Sequence, residues 1–173
     1  MRKTVISFGL SEREIGDAVK ELERYKRDLV EKTELLRTKV AERIADLSNS
    51  GFARAVIDDL LNGSKKIADV EVYVEVRDNI SVVIADGEDA VWAEFGAGVY
   101  HNGSAGSSPH PSGAELGFTI GGYGKGMGKR KVWGYYEGGE LNLTHGAPAT
   151  MPLYNAMKIV CAELSIIAGE VFR

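Results

Sequence analysis

A long run of apolar residues at three- and four-residue intervals constrains the fold of this 173-residue chain more than any other feature. This spacing places the apolar side chains on one face of a helix. Ser11 and Glu14 precede the run at the spacing of a capping box, in which each side chain binds the other's free backbone amide. The pattern therefore predicts a long N-terminal helix with one apolar stripe. The stripe comprises Ile15, Ala18, Leu22, Tyr25, Leu29, Leu36, Val40, Ile44 and Leu47.

Two structures would use this stripe. It could pack on a β-sheet of the same subunit, or it could form a coiled-coil seam, since its period is near 3.5 residues. We favour packing within the subunit. The residues Ser48-Asn49-Ser50-Gly51 interrupt the pattern and predict a break, so that a second, shorter helix completes a helical region over residues 11–66. The apolar face of that second helix would contain Phe52, Val56, Ile57, Leu60 and Leu61.

Strict alternation of valine with polar residues then predicts a β-hairpin. The valines lie at every second position from Val70 to Val76, which is typical of a strand buried on one face. Asp78-Asn79 supplies a two-residue turn, because both residue types tolerate a positive φ. The return strand contains Ile80, Val82 and Ile84. This hairpin opens a predicted β-sheet region over residues 70–145.

Glycine dominates the middle of that region, where 14 of the 21 glycines fall between Gly96 and Gly139. A segment this rich in glycine loses much backbone entropy when it becomes ordered. We therefore predict a long loop over about residues 96–131 that is mobile in the isolated subunit or ordered by a partner. Lys131–Glu137 would form a strand, and Gly138-Gly139 would turn the chain toward a strand over Leu141–Thr144.

The last region, residues 150–173, is predicted to be a helix. Thr150 is the expected N-cap, and Pro152 lies in the first turn, where proline is tolerated. Cys161 lies in this helix and is expected to be a small buried apolar residue. These regions together predict a single α+β domain over residues 1–173, in which two helices pack on a small, mainly antiparallel sheet with a long glycine-rich loop.

Composition excludes several classes of protein. The net charge of −4 does not favour a nucleic-acid or membrane partner. With one cysteine, the chain can form neither an internal disulfide nor a cysteine metal cluster. No apolar run approaches the roughly 20 residues that span a bilayer, and the N-terminal residues lack a signal-peptide pattern. We expect synthesis in the cytoplasm.

No catalytic constellation emerges from the motifs. The glycine-rich segment contains neither a GxGxxG register nor a P-loop. His101, His110 and His145 lack the close spacing of zinc-binding histidines, so a hydrolase would need the fold to gather them with an acid such as Glu94. We therefore predict an absence of catalytic residues, cofactors and metals. A second alternative, a small DNA-binding accessory protein, rests on a basic and aromatic patch of Tyr123, Lys125, Lys129, Arg130, Lys131 and Trp133.

The second half of the chain resembles the tail-component family of long-tailed bacteriophages and prophages. The resemblance extends from about Val70 to the C-terminus. It is carried by Val91-Trp92-Ala93-Glu94-Phe95-Gly96-Ala97-Gly98, by His110-Pro111, by Trp133-Gly134-Tyr135-Tyr136, and by the stretch from Thr144 to Ala156 that opens the last helix. Family members often carry Arg-Pro-Phe where this chain has Met151-Pro152-Leu153.

The resemblance implies a structural virion protein of the phage neck, a tail-completion or head–tail connector protein. It would form a homo-oligomeric ring between capsid and tail without a cofactor or a membrane. Its other partners would be neck, capsid-connector and tail-tube proteins, with possible passing contact with DNA. The predicted interface residues are Trp92, Glu94, Phe95, Gly96, Gly98, Trp133, Tyr135, Tyr136 and Pro152.

Glu94 carries a prediction that is independent of the resemblance. It lies between Trp92 and Phe95, and a carboxylate buried there without a partner would be costly. We therefore expect Glu94 to cap backbone amides or to meet a cation, within the subunit or across an interface.

Overall fold

The computed structural model describes residues 9, 11–59, 64–96, 108–118, 133–144 and 147–173. These residues form an α+β fold with a long N-terminal helix, a C-terminal helix and three antiparallel two-stranded sheets, which confirms the predicted class. In chain order the elements are α1 (Glu12–Phe52), β1 (Val56–Asp59), β2 (Ser64–Ile67), β3 (Glu71–Arg77), β4 (Ile80–Asp86), α2 (Ala90–Phe95), β5 (Trp133–Glu137), β6 (Glu140–Thr144) and α3 (Pro152–Val171).

Helix α1 begins at the predicted cap and continues without the predicted break. The Ser11 hydroxyl accepts a hydrogen bond from the Glu14 amide. The helix then continues without interruption through residues 48–51, so the prediction of a break there was wrong. Ser48 is fully buried, and the Asn49 side chain binds both the amide and the carbonyl of Val72 in β3, at 3.2 and 3.1 Å. These tertiary contacts outweigh the weak helix propensities of the four residues.

The prediction of a shorter second helix after the break, within the helical region over residues 11–66, was also wrong. The chain instead forms the β1–β2 hairpin, in which Val56 lies opposite Ile67. A hydrogen bond from the Ala68 amide to the Ala55 carbonyl, at 2.9 Å, closes its open end. Val56 and Ile57 are β-branched, and an apolar run this short fits a strand as well as a helix. Leu60 and Leu61 lie outside the described residues.

The β3–β4 hairpin confirms the predicted strand pair and its turn. The alternating burial holds only in part, because Val76 is 58% exposed and β4 packs on the core through Val83 and Ala85. Asp78 occupies the turn with a φ of 50°. The hairpin lies along α1, because the Arg37 guanidinium donates to the Asp78 carbonyl at 3.3 Å while Asn49 binds Val72 at the other end. The core lies between α1 and this hairpin. Its buried residues are Ala45, Phe52, Ala55, Ala68, Val72 and Ala93, with Ile57, Val70, Val74, Val83, Ala85 and Leu153 packed around them.

Helix α3 runs antiparallel to the C-terminal half of α1. Pro152 at its start lies against Gly51, where an added Cβ would be 2.8 Å from the proline Cβ. Further along, the Arg43 guanidinium binds both carboxylate oxygens of Glu163, at 3.1 and 3.4 Å. Since α1 has 41 residues and α3 has 20, α3 covers only part of the longer helix.

The N-terminal part of α1 extends beyond the described residues that pack on the rest of the helix. Every residue from 21 to 30 is exposed, and burial increases only from about Leu36 onward. We call residues 12–31 the α1 arm. Ala18 is the one buried residue in it. The stripe is buried or half-buried in the second half of α1, as predicted, whereas in the arm its residues are exposed except for Ala18.

The β5–β6 hairpin has the predicted glycine turn, with Gly138 and Gly139 at φ values of 58° and 88°. Such angles at both turn positions are those of the tight turns that join antiparallel strands. In the part of the chain that the structure describes, no helix combines the length and the apolar character needed to cross a membrane.

Candidate functional site

The end of α2 meets the start of α3 through the carboxylate of Glu94. This side chain is buried, with 4% of the residue's surface exposed. Its Oε2 accepts a hydrogen bond from the Leu153 amide at 2.8 Å, and its Oε1 accepts one from the Tyr154 amide at 2.9 Å. The first amides of a helix have no partner within it, and the positive end of the helix dipole favours an anion there. Glu94 therefore caps α3. This is one of the two roles predicted from the sequence, which were capping backbone amides or meeting a cation.

Thr150 does not have the capping role predicted for it. Its hydroxyl and its amide both donate to the Ala93 carbonyl in α2, at 3.1 and 2.9 Å. The N-cap of α3 is Met151, which adopts a left-handed φ of 52° and makes no side-chain cap. Pro152 follows as the first helical residue, as predicted. Because Thr150 is bound to α2, the acceptor for the free amides of α3 comes from Glu94, far away in sequence.

His110 completes the surroundings of the Glu94 carboxylate. Its Nε2 lies 3.4 Å from Glu94 Oε1, and its Nδ1 accepts a hydrogen bond from the Ser112 amide at 3.1 Å. A neutral imidazole with its proton on Nε2 satisfies both contacts, since a ring nitrogen that accepts carries no proton. The ring lies 4.5 Å from that of Phe95 and 5.2 Å from that of Tyr154, between centroids.

Residues 108–118 form a compact turn that holds His110 in place. The Ser108 amide donates to the Phe118 carbonyl at 3.0 Å, and the Phe118 ring stacks on that of Phe95 at 4.4 Å. The Ser108 hydroxyl donates to the Phe95 carbonyl. Residues 108–118 therefore make contacts within the subunit, and the mobility predicted for the loop stays a prediction. Residues 97–107 and 119–132 of the predicted loop lie outside the described residues.

Gly96 ends α2 at a place where a larger residue would be strained and tightly packed. Its φ is 78°, in the region that favours glycine. An added Cβ would lie 3.0 Å from the Ala149 amide nitrogen and 3.2 Å from the Ala147 carbonyl oxygen. This close approach lets the segment before α3 pass directly over the end of α2.

A second buried carboxylate holds the other end of α2. Asp89 accepts a hydrogen bond from the Asp69 amide at 2.9 Å and an ion-pair contact from Lys66 Nζ at 2.7 Å. The hydrogen bond to Asp89 raises the pKa of Lys66. Both ends of this short helix are therefore bound by side chains to neighbouring backbone, and α2 is a fixed connector between the β2–β3 segment and α3.

The structure brings together four of the nine predicted interface residues. Glu94, Phe95, Gly96 and Pro152 all lie at the meeting point of α2 and α3, which we call the α2–α3 joint. The joint makes these residues internal contacts of the subunit, and their role in an interface stays a prediction. Of the remaining five, Trp92 is half-buried in α2; Trp133, Tyr135 and Tyr136 lie on β5, with Tyr136 76% exposed; and Gly98 lies outside the described residues.

The chemistry of the joint is that of a structural contact. Both carboxylate oxygens of Glu94 are engaged by amides, and one also faces His110. The hydrolase alternative required the fold to bring histidines to an acid such as Glu94, and the fold does bring His110 there from 16 positions away in the sequence. Within the described residues, no group of three or more His, Cys, Asp or Glu side chains could hold a metal ion. His101 and His145 are not among the described residues.

Apolar side chains on two helices form a different kind of candidate surface. On the α1 arm, Leu22 is 54% exposed and Leu29 is 42% exposed. On α3, Met157 and Leu164 are exposed, and Cys161 between them is exposed too, although the sequence predicted it to be buried. Helix α3 carries few charges, so its apolar residues extend beyond the face that packs on α1.

No protein-family model, curated protein or solved structure matches this chain. The resemblance to the tail-component family therefore stays a prediction that rests on the residues quoted for it.

Proposed function

We propose that this protein is a structural subunit of the neck of a tailed bacteriophage, acting in tail completion or head–tail joining. In this proposal it is made in the host cytoplasm, assembles with copies of itself into a ring, and becomes part of the virion. The ring would contact capsid-connector proteins on one side and tail-tube proteins on the other.

The observation that carries this proposal is the uncovered apolar surface of the α1 arm and α3. A helix that is apolar around most of its circumference is usually buried in a core or an interface. Contiguous exposed apolar surface on a folded subunit marks a site of association. Leu22 and Leu29 on the arm and Leu164 on α3 are all at least 42% exposed. These properties suit a subunit that completes its packing only when it assembles.

The α2–α3 joint supports the family assignment. Glu94, Phe95 and Pro152 are the residues on which the resemblance mainly rests, and His110 belongs to it as well. All four meet around one capped helix start. In a ring subunit, such a joint would fix the direction of α3 relative to the rest of the fold, so that all copies present the same surface.

The joint gives little support to a hydrolase. A general base must come within hydrogen-bond reach of a substrate proton, whereas Glu94 is only 4% exposed and Nδ1 of His110 accepts from the Ser112 amide. The DNA-binding alternative has no support among the described residues, because Lys125, Lys129, Arg130 and Lys131 all lie outside them.

Native mass spectrometry of the purified protein with metal analysis separates these functions. We expect a metal-free oligomer of defined stoichiometry that appears as a ring in negative-stain electron microscopy. One equivalent of bound zinc per chain would favour the hydrolase, and a mobility shift with short duplex DNA would favour the accessory protein. A monomer at every concentration up to that of the assembling virion components would contradict the proposal.

The proposed role in the phage neck is tested with phage particles made in the absence of this protein. In a phage that encodes this protein, inactivating its gene should yield filled heads and separate tails, and a plasmid copy should restore joined particles. If particles without the protein have normal tails, the neck assignment is wrong.

A further inference from the structure

We infer that the α1 arm of one copy packs against the outer ridge of α3 in a second copy. The arm seam consists of Ile15, Ala18, Leu22, Tyr25 and Leu29, which are exposed except for the buried Ala18. The outer ridge consists of Met157, Cys161, Leu164 and Ala168, which are exposed except for the half-buried Ala168. This inference rests on the proposed assembly function and identifies the two surfaces that would join neighbouring subunits.

Within the subunit, α1 already uses this face to bind α3. Leu22, Leu29, Leu36 and Arg43 follow one another at seven-residue intervals and therefore lie along nearly the same face of the helix. Arg43 binds Glu163 of α3, whereas Leu22 and Leu29 are uncovered. The face that α3 covers in one half of α1 thus continues, as apolar surface, into the arm. The partner that best fits this continuation is another apolar helix of the same kind.

A second copy supplies such a helix in the outer ridge of α3. The ridge residues are spaced by four, three and four positions, and those of the arm seam by three, four, three and four. Both spacings are those of the a and d positions of a coiled coil, whose side chains insert between those of the facing helix. The arm seam extends over about 21 Å and the ridge over about 17 Å at 1.5 Å per residue. The two surfaces therefore match in period and nearly in length.

Side-chain size favours this pairing over two arms packed on each other. The arm seam carries Leu22, Tyr25 and Leu29, while the ridge offers the small Cys161 and Ala168 between its larger residues. Antiparallel pairing of two arms would also bring Glu14, Glu21 and Asp28, which flank the seam on one side, against the same three carboxylates of the second arm. Such like-charge contacts are unfavourable. The ridge is flanked by few charges and imposes no such repulsion.

The pairing has the symmetry that a ring needs. Each subunit would offer its arm to one neighbour and its α3 ridge to the other, which is a heterologous contact that closes into a ring or continues as a filament. One helix-to-helix contact of this length is small compared with a stable interface of about 800 Å² per partner. Association of two copies would therefore be weak, and closure of the ring would stabilise every contact at once.

The single native cysteine makes this contact directly testable. Cys161 is exposed on the ridge, so the variants Leu22→Cys and Leu29→Cys place a second thiol on the arm seam. Both leucines are exposed, so we expect each variant to fold, and circular dichroism checks this before oxidation. After oxidation with diamide, we expect a ladder of dimers, trimers and larger species on non-reducing gels, because each chain joins one neighbour through each thiol. The largest cross-linked species gives the number of subunits in the ring.

Two matched variants identify which thiols react. Adding Cys161→Ser to Leu22→Cys should abolish the ladder, and Lys20→Cys, on the opposite face of the arm, should not produce one. Dimers that persist with Cys161→Ser would mean that arm packs on arm, and would overturn the inference. Oligomers detected by light scattering without any ladder would also overturn it while leaving the proposed assembly function intact. A protein that is monomeric in light scattering would contradict that function itself.

Discussion

Replacing Glu94 tests whether the α2–α3 joint holds the subunit together. In Glu94→Ala, the amides of Leu153 and Tyr154 lose acceptors at 2.8 and 2.9 Å. A polar group left without a partner in a buried site costs about 1–3 kcal/mol. Because the start of α3 is half-buried and water can partly replace the carboxylate, we expect a loss of about 2–4 kcal/mol in the free energy of unfolding. This is a large part of the roughly 5–15 kcal/mol that stabilises a typical domain.

Glu94→Gln should fall between wild type and Glu94→Ala. Its amide oxygen can still accept from one backbone amide, while its NH₂ group faces the other donor and the favourable charge at the helix terminus is lost. The matched control is Glu163→Gln, which makes the same chemical change at an exposed carboxylate that binds Arg43. Exposed ion pairs contribute little to stability, so we expect that control to unfold as the wild type does.

Thermal and urea unfolding, followed by circular dichroism at low protein concentration, measures the stability of these variants. For a chain of this length, a loss of 3 kcal/mol lowers the Tm by about 6–12 °C. If Glu94→Ala unfolds within about 0.5 kcal/mol of wild type, the range of an ordinary surface change, then the cap does not stabilise α3. If that variant also assembles less well, Glu94 acts at an interface, which is the role that the family resemblance suggested.

Three further predictions concern other contacts of the fold. Gly96→Ala should destabilise the subunit by about 1–3 kcal/mol in urea unfolding, since it combines a strained φ with a close contact; Gly139→Ala, where the φ is also positive but the space is open, should cost less. Asn49→Ala removes two hydrogen bonds to the β3 backbone and should speed amide exchange in β3, with a loss of about 1–3 kcal/mol. The raised pKa of Lys66 means that its contact with Asp89 stabilises the fold fully below the unfolded value of 10.5 and is lost as the pH rises through the folded value. Lys66→Met should therefore weaken the dependence of the Tm on pH above 10.5, and an unchanged alkaline profile would contradict this.

Local patterns predicted the turns of the fold because glycine and aspartate act there through their own backbone preferences. Asp78, Gly138 and Gly139 all adopt the positive φ values that their turns require. The role of Glu94 was predictable for a different reason, since a carboxylate among apolar residues must find a partner when buried. The identity of that partner was not predictable, because Leu153 is 59 positions away in the chain.

The unbroken α1 and the β1–β2 hairpin could not be predicted because tertiary contacts decide them. Ser48 and Asn49 have weak helix propensity, and propensity is all that a short window of sequence contains. In the fold, Asn49 provides the hydrogen bonds that a neighbouring strand would otherwise offer to Val72. This contact requires a helix at that point, since only an uninterrupted α1 presents Asn49 to β3 and Phe52 to the core at the same time.

The two uses of the α1 stripe follow from the lengths of the helices. A stripe with a period near 3.5 residues fits both packing within a subunit and pairing between subunits, and periodicity cannot distinguish them. Helix length can distinguish these two kinds of packing, because a helix of 41 residues extends over about 60 Å while one of 20 residues extends over about 30 Å. Helix α3 cannot cover the whole stripe, so about half of it must meet solvent, another part of the chain or a neighbour. The exposed Leu22 and Leu29 show that the described residues leave their part of the stripe uncovered. We therefore expect assembly to depend on the arm rather than on the internal contacts of the α2–α3 joint.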